Sequence, residues 1–189
     1  MTRPTAAEVG GGPGPGLVRL WAGWRSTYIA RVNDDSAELR PDDAGRSLFE
    51  RILAAPMSDE EALVVHRGAR SSVLLNAFPY GSGHLLVVPN RAAPDLGDLD
   101  PDEQTDLWAT VTAAVAAVRT AYAPDGVNVG LNLGSAAGAG VPDHLHVHVL
   151  PRWAADANFM TAVAEARVLP EPLASTWAKV HAAWSSPPT

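Results

Sequence analysis

Short stretches in which apolar residues cluster or alternate with polar ones predict five β-strands along the chain. ALVVHRG (62–68) and SVLLNAF (72–78) are joined by a Gly-containing turn, and HLLVVPN (84–90) ends at its proline. VNVGLNL (127–133) and HLHVHVL (144–150) follow farther along the chain. The first three strands succeed one another as hairpins do, which favours antiparallel pairing.

Apolar residues at helical spacing predict three helices. A short helix lies in DDAGRSLFERILAAP (42–56) and is ended by Pro56. The clearest helix has Asp100 in the N-cap position, Pro101 in its first turn and Glu103 completing a capping box. A C-terminal helix is predicted from about residue 172 to residue 184. The apolar positions that carry the three helices are Leu48, Ile52 and Leu53; Leu107, Trp108, Val111, Val115 and Val118; and Leu173, Trp177, Val180 and Trp184.

Hairpin-like strands, one long helix and two further strands predict an α+β fold with a mostly antiparallel sheet and a C-terminal helix. The 189 residues suit one domain, and 47% hydrophobic residues are enough to bury a sizeable core. Gly and Pro are frequent in residues 1–16, which we interpret as a disordered leader. Residues 185–189 are interpreted as a flexible tail, so the expected domain covers residues 17–184.

Composition limits the partners that the chain is expected to have. The formal net charge is −7, whereas tracking of nucleic-acid phosphates needs a basic field, so no nucleic-acid partner is expected. The chain has no cysteine, which excludes disulfides and Cys-based metal sites and fits a cytoplasmic location. No stretch approaches about 18 uninterrupted apolar residues, so we expect no membrane span.

Three of the six histidines, His144, His146 and His148, alternate with aliphatic residues in DHLHVHVLP (143–151). Successive side chains of a strand point to opposite faces, so a strand here would place the three imidazoles on one face, roughly 7 Å apart. The aliphatic residues between them would then face the core. One face of this strand is therefore expected to be dedicated to imidazole chemistry.

Three interpretations of the histidine row compete. Coincidence on a solvated face is opposed by the apolar flanks. A zinc site could use neutral imidazoles together with His84 or Asp143, but the third histidine would point along the strand and miss a metal shared by the other two. Nucleophilic catalysis at phosphorus needs one neutral imidazole to attack, an acceptor to fix its tautomer and donors for the phosphate oxygens. A row of three provides that division of labour, which favours catalysis.

HLHVHVLP also resembles the signature of the histidine-triad (HIT) family, in which three histidines alternate with hydrophobic residues. LNAFPYGSGHLLVVPNR (75–91) is similar to the family segment that reads a ribose, and NLG (132–134) to the Asn before its phosphate loop. HVLPRWAADANFMTAVAEARVLPE (148–171) resembles an actinobacterial branch of diadenosine tetraphosphate phosphorylases, as do RLWAGWRSTYI (19–29) and PMSDEEALVVHRG (56–68). The resemblance implies a HIT-like nucleotide-binding domain that forms a homodimer or a larger homo-oligomer.

The resemblance implies a catalytic role for each of four histidines. His146 would be the nucleophile that takes a nucleoside monophosphoryl group, and His148 would contact the phosphate oxygens. His144 would hold the environment of the nucleophile or assist the leaving group. His84 would stack near His146 and help to orient it. The resemblance implies no cofactor and no bound metal.

The resemblance also implies a set of nucleotide-binding residues. Asn76 would bind the ribose, Trp153 would border the site, and Asn132 would cradle the phosphates together with the loop amides of Gly138, Ala139 and Gly140. Each has a structural interpretation as well: the two asparagines as turn residues, Trp153 as core and His84 as a strand cap. His66 and His181 belong to no motif and are interpreted as structural or surface residues.

Two departures from the family pattern affect the expected reaction. The branch carries Gly-Gly-Ser where this chain has Gly138, Ala139 and Gly140, and many other members place Gln and then Ser or Thr near Gly140 and Val141. A side-chain donor for the leaving or incoming phosphate is therefore missing. SLFERI (47–52) also lacks the Cys-rich zinc clip of many relatives.

Phosphorolysis, hydrolysis and transfer to another acceptor consequently stay open. The first hypothesis is a nucleotidyl hydrolase or transferase that cleaves a dinucleoside polyphosphate, or a specialised nucleotide conjugate, at the α-phosphate. The second is a nucleotide-binding or regulatory protein with little turnover.

Overall fold

The computed structural model describes residues 45–154, 156 and 171–185. The predicted leader and residues 186–189 of the predicted tail lie outside this range, as does RLWAGWRSTYI (19–29). The described residues are an α+β arrangement of one antiparallel sheet with helices on both faces, which confirms the predicted fold class.

Five strands form the sheet in the described part of the chain, in the order β1-β2-β3-β5-β4, and every neighbouring pair is antiparallel. Strand β5 lies between β3 and β4, two strands that precede it in sequence, and β4 forms the edge beside it. The strands are β1 (Val64–Arg67), β2 (Ser71–Leu75), β3 (Leu85–Pro89), β4 (Gly126–Leu131) and β5 (Val147–Arg152).

Capping boxes mark the first turns of two of the helices. The described residues contain α1 (Leu48–Ala54), α2 (Pro101–Tyr122) and α3 (Leu173–Ser185). The prediction for α2 is confirmed: Asp100 accepts the Glu103 amide and Glu103 accepts the Asp100 amide. Helix α1 begins later than the predicted 42–56 segment, because Ser47 and Glu50 form the same capping box and fix its first turn at residue 48.

Two apolar layers hold the helices onto the sheet. The layer beneath α2 and α3 takes one set of alternating strand side chains, and the layer beneath α1 takes the other set. The exposed fraction of Trp108 is 43%, so this predicted member of the α2 apolar face lies outside the core. The buried face of α2 comprises Leu107, Val111, Ala114, Ala117 and Val118.

The predicted strand over residues 144–150 is wrong at its start. The ladders of β5 with both neighbours begin at Val147, because β3 pairs with it from Val87 and β4 ends at Leu131. His144 and His146 therefore precede the sheet, and the Leu145 amide donates instead to the Ala93 carbonyl at 2.8 Å. The alternation of faces persists nevertheless, since Leu145 belongs to the same apolar layer as Val147.

No helix among the described residues combines the length and the apolar character needed to cross a membrane.

Candidate active site

An open cleft of about 440 Å³ lies beside the first residues of β5. Helix α1 forms one wall, the segment before β3 a second, and the loop at residues 138–141 a third. Its lining residues are Phe49, Asn76, Phe78, Tyr80, Leu86, Gly138, Gly140, Val141, His146 and His148. The structure thus brings two members of the histidine row, one predicted ribose-binding residue and part of the predicted phosphate loop to one place.

His144 is fully buried, and both of its ring nitrogens are bonded to protein. Nε2 lies 2.9 Å from the Pro89 carbonyl, which can only accept, so Nε2 carries the proton. Nδ1 lies 2.6 Å from the Ser47 hydroxyl and accepts from it in the neutral ring. Burial lowers the pKa of His144 and outweighs the Pro89 carbonyl and Glu50, which act to raise it. His144 is therefore a neutral imidazole with a fixed tautomer.

His146 is 5% exposed and lines the cleft. Its Nδ1 lies 3.0 Å from the backbone carbonyl of His144. A carbonyl accepts only, so the proton of neutral His146 sits on Nδ1 and the lone pair on Nε2. Phe49 packs against this ring and against His144, at centroid distances of 5.4 Å and 5.3 Å. The arrangement presents an imidazole in the nucleophilic tautomer.

A second chain of hydrogen bonds fixes the tautomer of His148. The Tyr80 amide donates to Nδ1 of His84 at 3.0 Å, which leaves the His84 proton on Nε2. His84 Nε2 lies 2.9 Å from Nδ1 of His148 and donates to it. A neutral His148 then carries its proton on Nε2, as a donor to a phosphate oxygen would. His148 lies edge-on to His146, with ring centroids 5.1 Å apart.

His84 was predicted to stack near His146 and orient it. Its ring contacts Tyr80 and His148, at centroid distances of 4.6 Å and 5.1 Å. His148 in turn contacts His146, which gives one route from His84 to His146; the predicted role of His84 in orienting His146 stays a prediction. The position of His84 follows from its place directly before β3, which pairs with β5.

Asn76 lines the cleft at the end of β2. Its Oδ1 accepts the Phe78 amide at 2.9 Å, and its Nδ2 lies 3.4 Å from Nδ1 of His84. The side chain thus forms the turn that the structural interpretation predicted and also supports the tautomer of His84. Its role toward a ribose stays a prediction.

The predicted phosphate loop reaches the cleft through Gly138 and Gly140, whereas Ala139 and Asn132 are not among the described lining residues. Gly138 adopts a φ of +93°, which a residue with a side chain rarely adopts. Neither Gly140 nor Val141 supplies a hydroxyl to the cleft. No Lys or Arg of the described residues lines it, so its donors are imidazoles, the Asn76 amide, the Tyr80 hydroxyl and backbone amides.

Three predicted or considered residues lie elsewhere. Trp153 packs edge-on against Tyr122, at 6.0 Å between ring centroids, and is not among the described lining residues. His66 stacks on Trp184 at 4.6 Å, and His181 stacks on Trp177 at 4.5 Å. The two histidines therefore belong to the packing of α3 on the edge of the sheet, and a role of Trp153 in the site stays a prediction.

The geometry opposes the zinc interpretation of the histidine row. Both ring nitrogens of His144 are bonded to protein, and His84 is hydrogen-bonded to His148. Among the described residues, no three His, Asp or Glu side chains are grouped as a metal would require. The solvated-face interpretation is wrong, since His144 and His146 are buried.

Sequence reasoning missed the residues outside the 144–148 segment that contact or orient its histidines. Ser47, Phe49 and Glu50 come from α1, and Tyr80 from the turn before β3. The Ser-x-x-Glu pattern at residues 47–50 signals a helix start. It contains no signal for a contact with a histidine 97 residues away.

Known proteins resemble this chain in sequence. Residues 58–155 match the family described as HIT domain. The chain is 39% identical over 173 residues to a protein of Mycobacterium tuberculosis named AP-4-A phosphorylase, covering 91% of this chain and 87% of that protein. It is 40% identical over 93 residues to the asymmetrical bis(5'-nucleosyl)-tetraphosphatase of Schizosaccharomyces pombe, covering 49% of this chain and 50% of that one.

Solved structures with the same fold include a zinc-bound histidine triad family protein from Mycobacterium smegmatis. It is 26% identical with a TM-score of 0.60, and the match covers 74% of this chain and 93% of that one. A hypothetical histidine triad nucleotide-binding protein from Sulfolobus tokodaii has a TM-score of 0.60 at 23% identity, covering 72% of this chain and 91% of that one. The second likeness concerns the fold alone.

Proposed function

The chain belongs to the HIT domain family, and from that premise we propose that it cleaves dinucleoside polyphosphates at the α-phosphate. Diadenosine tetraphosphate is the expected substrate, because the M. tuberculosis relative, matched over most of both chains, is named for it. The reaction passes through a covalent nucleotidyl-histidine at His146.

The tautomer of His146 is the observation that carries the proposal. With Nδ1 donating to the His144 carbonyl, Nε2 holds the lone pair needed to attack phosphorus. In the first step Nε2 bonds to the α-phosphorus, and the bond from that phosphorus to the bridging oxygen breaks, releasing ATP from diadenosine tetraphosphate. In the second step an acceptor oxygen replaces Nε2 on phosphorus, and neutral His146 is regenerated.

The other groups of the cleft stabilise the charge that moves during both steps. His148, held in its Nε2–H tautomer by His84, donates to a non-bridging oxygen. The backbone around Gly138 and Gly140 lies close enough to the cleft for loop amides to approach the phosphate chain. Asn76 is placed at the cleft wall where a ribose hydroxyl could bond to its amide.

The products identify the acceptor. Incubation with diadenosine tetraphosphate and inorganic phosphate gives ADP and ATP if phosphate attacks the intermediate. AMP and ATP, formed at the same rate without phosphate, indicate attack by water. Replacing Gly140 by Ser adds the hydroxyl that the branch carries, and we expect it to increase the share of ADP if the missing donor limits phosphorolysis.

A second function is favoured by the same loop. Because Gly140 and Val141 bring no hydroxyl to the cleft, the protein could bind nucleotides and turn them over too slowly to matter. Calorimetric binding of a nonhydrolysable analogue together with no product from diadenosine tetraphosphate would support that function. Product formation that saturates with substrate and disappears in His146→Ala would exclude it.

We further propose that the chain forms one nucleotide-binding domain over residues 17–184 and assembles as a homodimer in the cytoplasm. Strand β4 is an edge of the sheet; Val129 within it is 44% exposed, and Leu133, two residues after its end, is 37% exposed. A second copy would pair with this edge. Light scattering on the wild type and on Val129→Glu tests it: a dimer that becomes a monomer supports the proposal, and a wild-type monomer refutes it.

A further inference from the structure

The nucleophile lies directly before the first paired residue of β5, which is Val147. Just before it, the Leu145 amide donates to the Ala93 carbonyl at 2.8 Å, and the His144 amide reaches the Val141 carbonyl at 3.4 Å. Hydrogen bonds to the His144 ring act beside these backbone bonds and add a further constraint on the His144 carbonyl that orients His146.

Ser47 supplies such a constraint from the N-cap of α1. Its hydroxyl accepts the Glu50 amide at 3.2 Å and lies 2.6 Å from His144 Nδ1. Because Nε2 of His144 donates to Pro89, the matching bond at Nδ1 is a donation from the Ser47 hydroxyl. Ser47 is 4% exposed and His144 fully buried, so water is not a ready substitute for either partner.

Glu50 holds Ser47 in this position. One carboxylate oxygen accepts the Ser47 amide at 2.8 Å, and the other accepts the Ala92 amide at 3.0 Å. Although burial raises it, the bonds from Ala92 and Ser47 keep the pKa of Glu50 below its ordinary value, so the carboxylate is ionised. The N-terminus of α1 is thus tied to Ala92, in the segment that follows β3. Pro89, the last residue of β3, binds the other side of the His144 ring.

We propose that Ser47, held by Glu50, is a positioning residue that fixes the orientation of His144, whose tautomer is set by Pro89, and, through the His144 carbonyl, keeps the lone pair of His146 on Nε2. The catalytic consequence rests on the function proposed above. The consequence for the tautomers does not rest on that function, because it concerns the protein without substrate.

Three variants separate this role from helix capping. Ser47→Ala removes both the cap and the donor. Ser47→Gly removes the donor but keeps a residue that caps nearly as well, and it decides the matter if Ser47→Ala does not fold. Ser47→Thr restores the hydroxyl. The matched control is Ser58→Ala, because Ser58 forms the same Ser-x-x-Glu pair with Glu61 on the surface.

Two readouts are needed. We expect Ser47→Ala and Ser47→Gly to lower kcat about tenfold with KM changed less than about twofold, because a lost positioning bond affects the transition state and not ground-state binding. Ser47→Thr should return kcat to near the wild-type value, and Ser58→Ala should leave it unchanged. Nitrogen-15 spectra of the imidazoles should show Nε2–H at His144 and Nδ1–H at His146 in the wild type, and a mixture of His146 tautomers in Ser47→Gly.

An unchanged His146 tautomer in Ser47→Gly overturns the proposal, whether or not the protein turns over any nucleotide. A loss of kcat that Ser47→Thr does not restore, or that Ser58→Ala reproduces, overturns it too. If the tautomers change while even the wild type forms no product, the positioning role stands and the proposed function fails.

Discussion

Replacement of His84 by Phe tests the division of labour within the histidine row. His84 accepts the Tyr80 amide and donates to His148 Nδ1, so the variant removes the partner of two polar atoms inside the fold. Each lost partner costs about 1–3 kcal/mol, so we expect the free energy of unfolding to fall by about 2–6 kcal/mol. Urea unfolding measures this directly.

The effect on catalysis follows from the tautomer of His148. Without the His84 donor, His148 can place its proton on Nδ1 and then offers no N–H on the other ring nitrogen. A hydrogen bond to a charged phosphate oxygen is worth about 1.5–3 kcal/mol, so kcat should fall roughly ten- to hundredfold. His84→Gln can still accept and donate, and it should lose less activity than His84→Phe.

The matched control is His181→Phe, which removes a histidine stacked on Trp177 and outside the cleft lining. Steady-state rates of diadenosine tetraphosphate cleavage are compared for the folded fraction of each variant. A kcat for His84→Phe within twofold of the wild type would refute the reasoning, and so would an equal loss in His181→Phe.

Two further predictions concern stability. Because burial lowers the pKa of His144 beneath its ordinary 6.5, the unfolded chain takes up a proton near that pH and the folded chain does not. Stability conferred by neutral His144 is therefore present above about pH 6.5 and is lost as pH falls, by up to about 1.4 kcal/mol per pH unit. Urea unfolding between about pH 7.5 and 5.5 should show that the unfolding free energy depends less steeply on pH in His144→Asn than in the wild type. An equal dependence on pH in the two proteins would contradict this. Gly83 has a φ of +76°, and a Cβ there would lie 2.9 Å from the Tyr122 ring and 3.0 Å from Pro151. Gly83→Ala should lower stability by about 1–3 kcal/mol, whereas Gly126→Ala, with open space around it, should lower it less; a thermal melt compares them.

Local signals allowed the sequence to predict the start of the long helix. Asp100, Pro101 and Glu103 act within one turn, so their pattern alone fixes where α2 begins. The alternation of Leu145 with the histidines likewise predicted which side chains face the core, because the two faces of an extended segment need no partner to be defined.

Properties that depend on distant partners could not be predicted. The start of β5 at Val147 depends on its pairing with Val87 of β3 and Leu131 of β4, and neither partner is encoded near residue 147. The Ser47 contact with His144 joins residues far apart in sequence. Trp153 follows the end of β5, about 17 Å along the strand from His148 at the usual rise per residue, so closeness in sequence to the row did not place it in the cleft lining.

The central claim, that His146 carries the nucleotidyl group, is tested most directly by trapping the intermediate. The protein is mixed with diadenosine tetraphosphate, quenched in alkali because a phosphorus–nitrogen bond is labile in acid, digested and analysed by mass spectrometry. The account predicts an adenylyl group on the peptide that contains His146, and its absence in His146→Ala, which should also have lost turnover while keeping its fold. Turnover retained in His146→Ala, or an adenylyl group on another residue, would contradict the account.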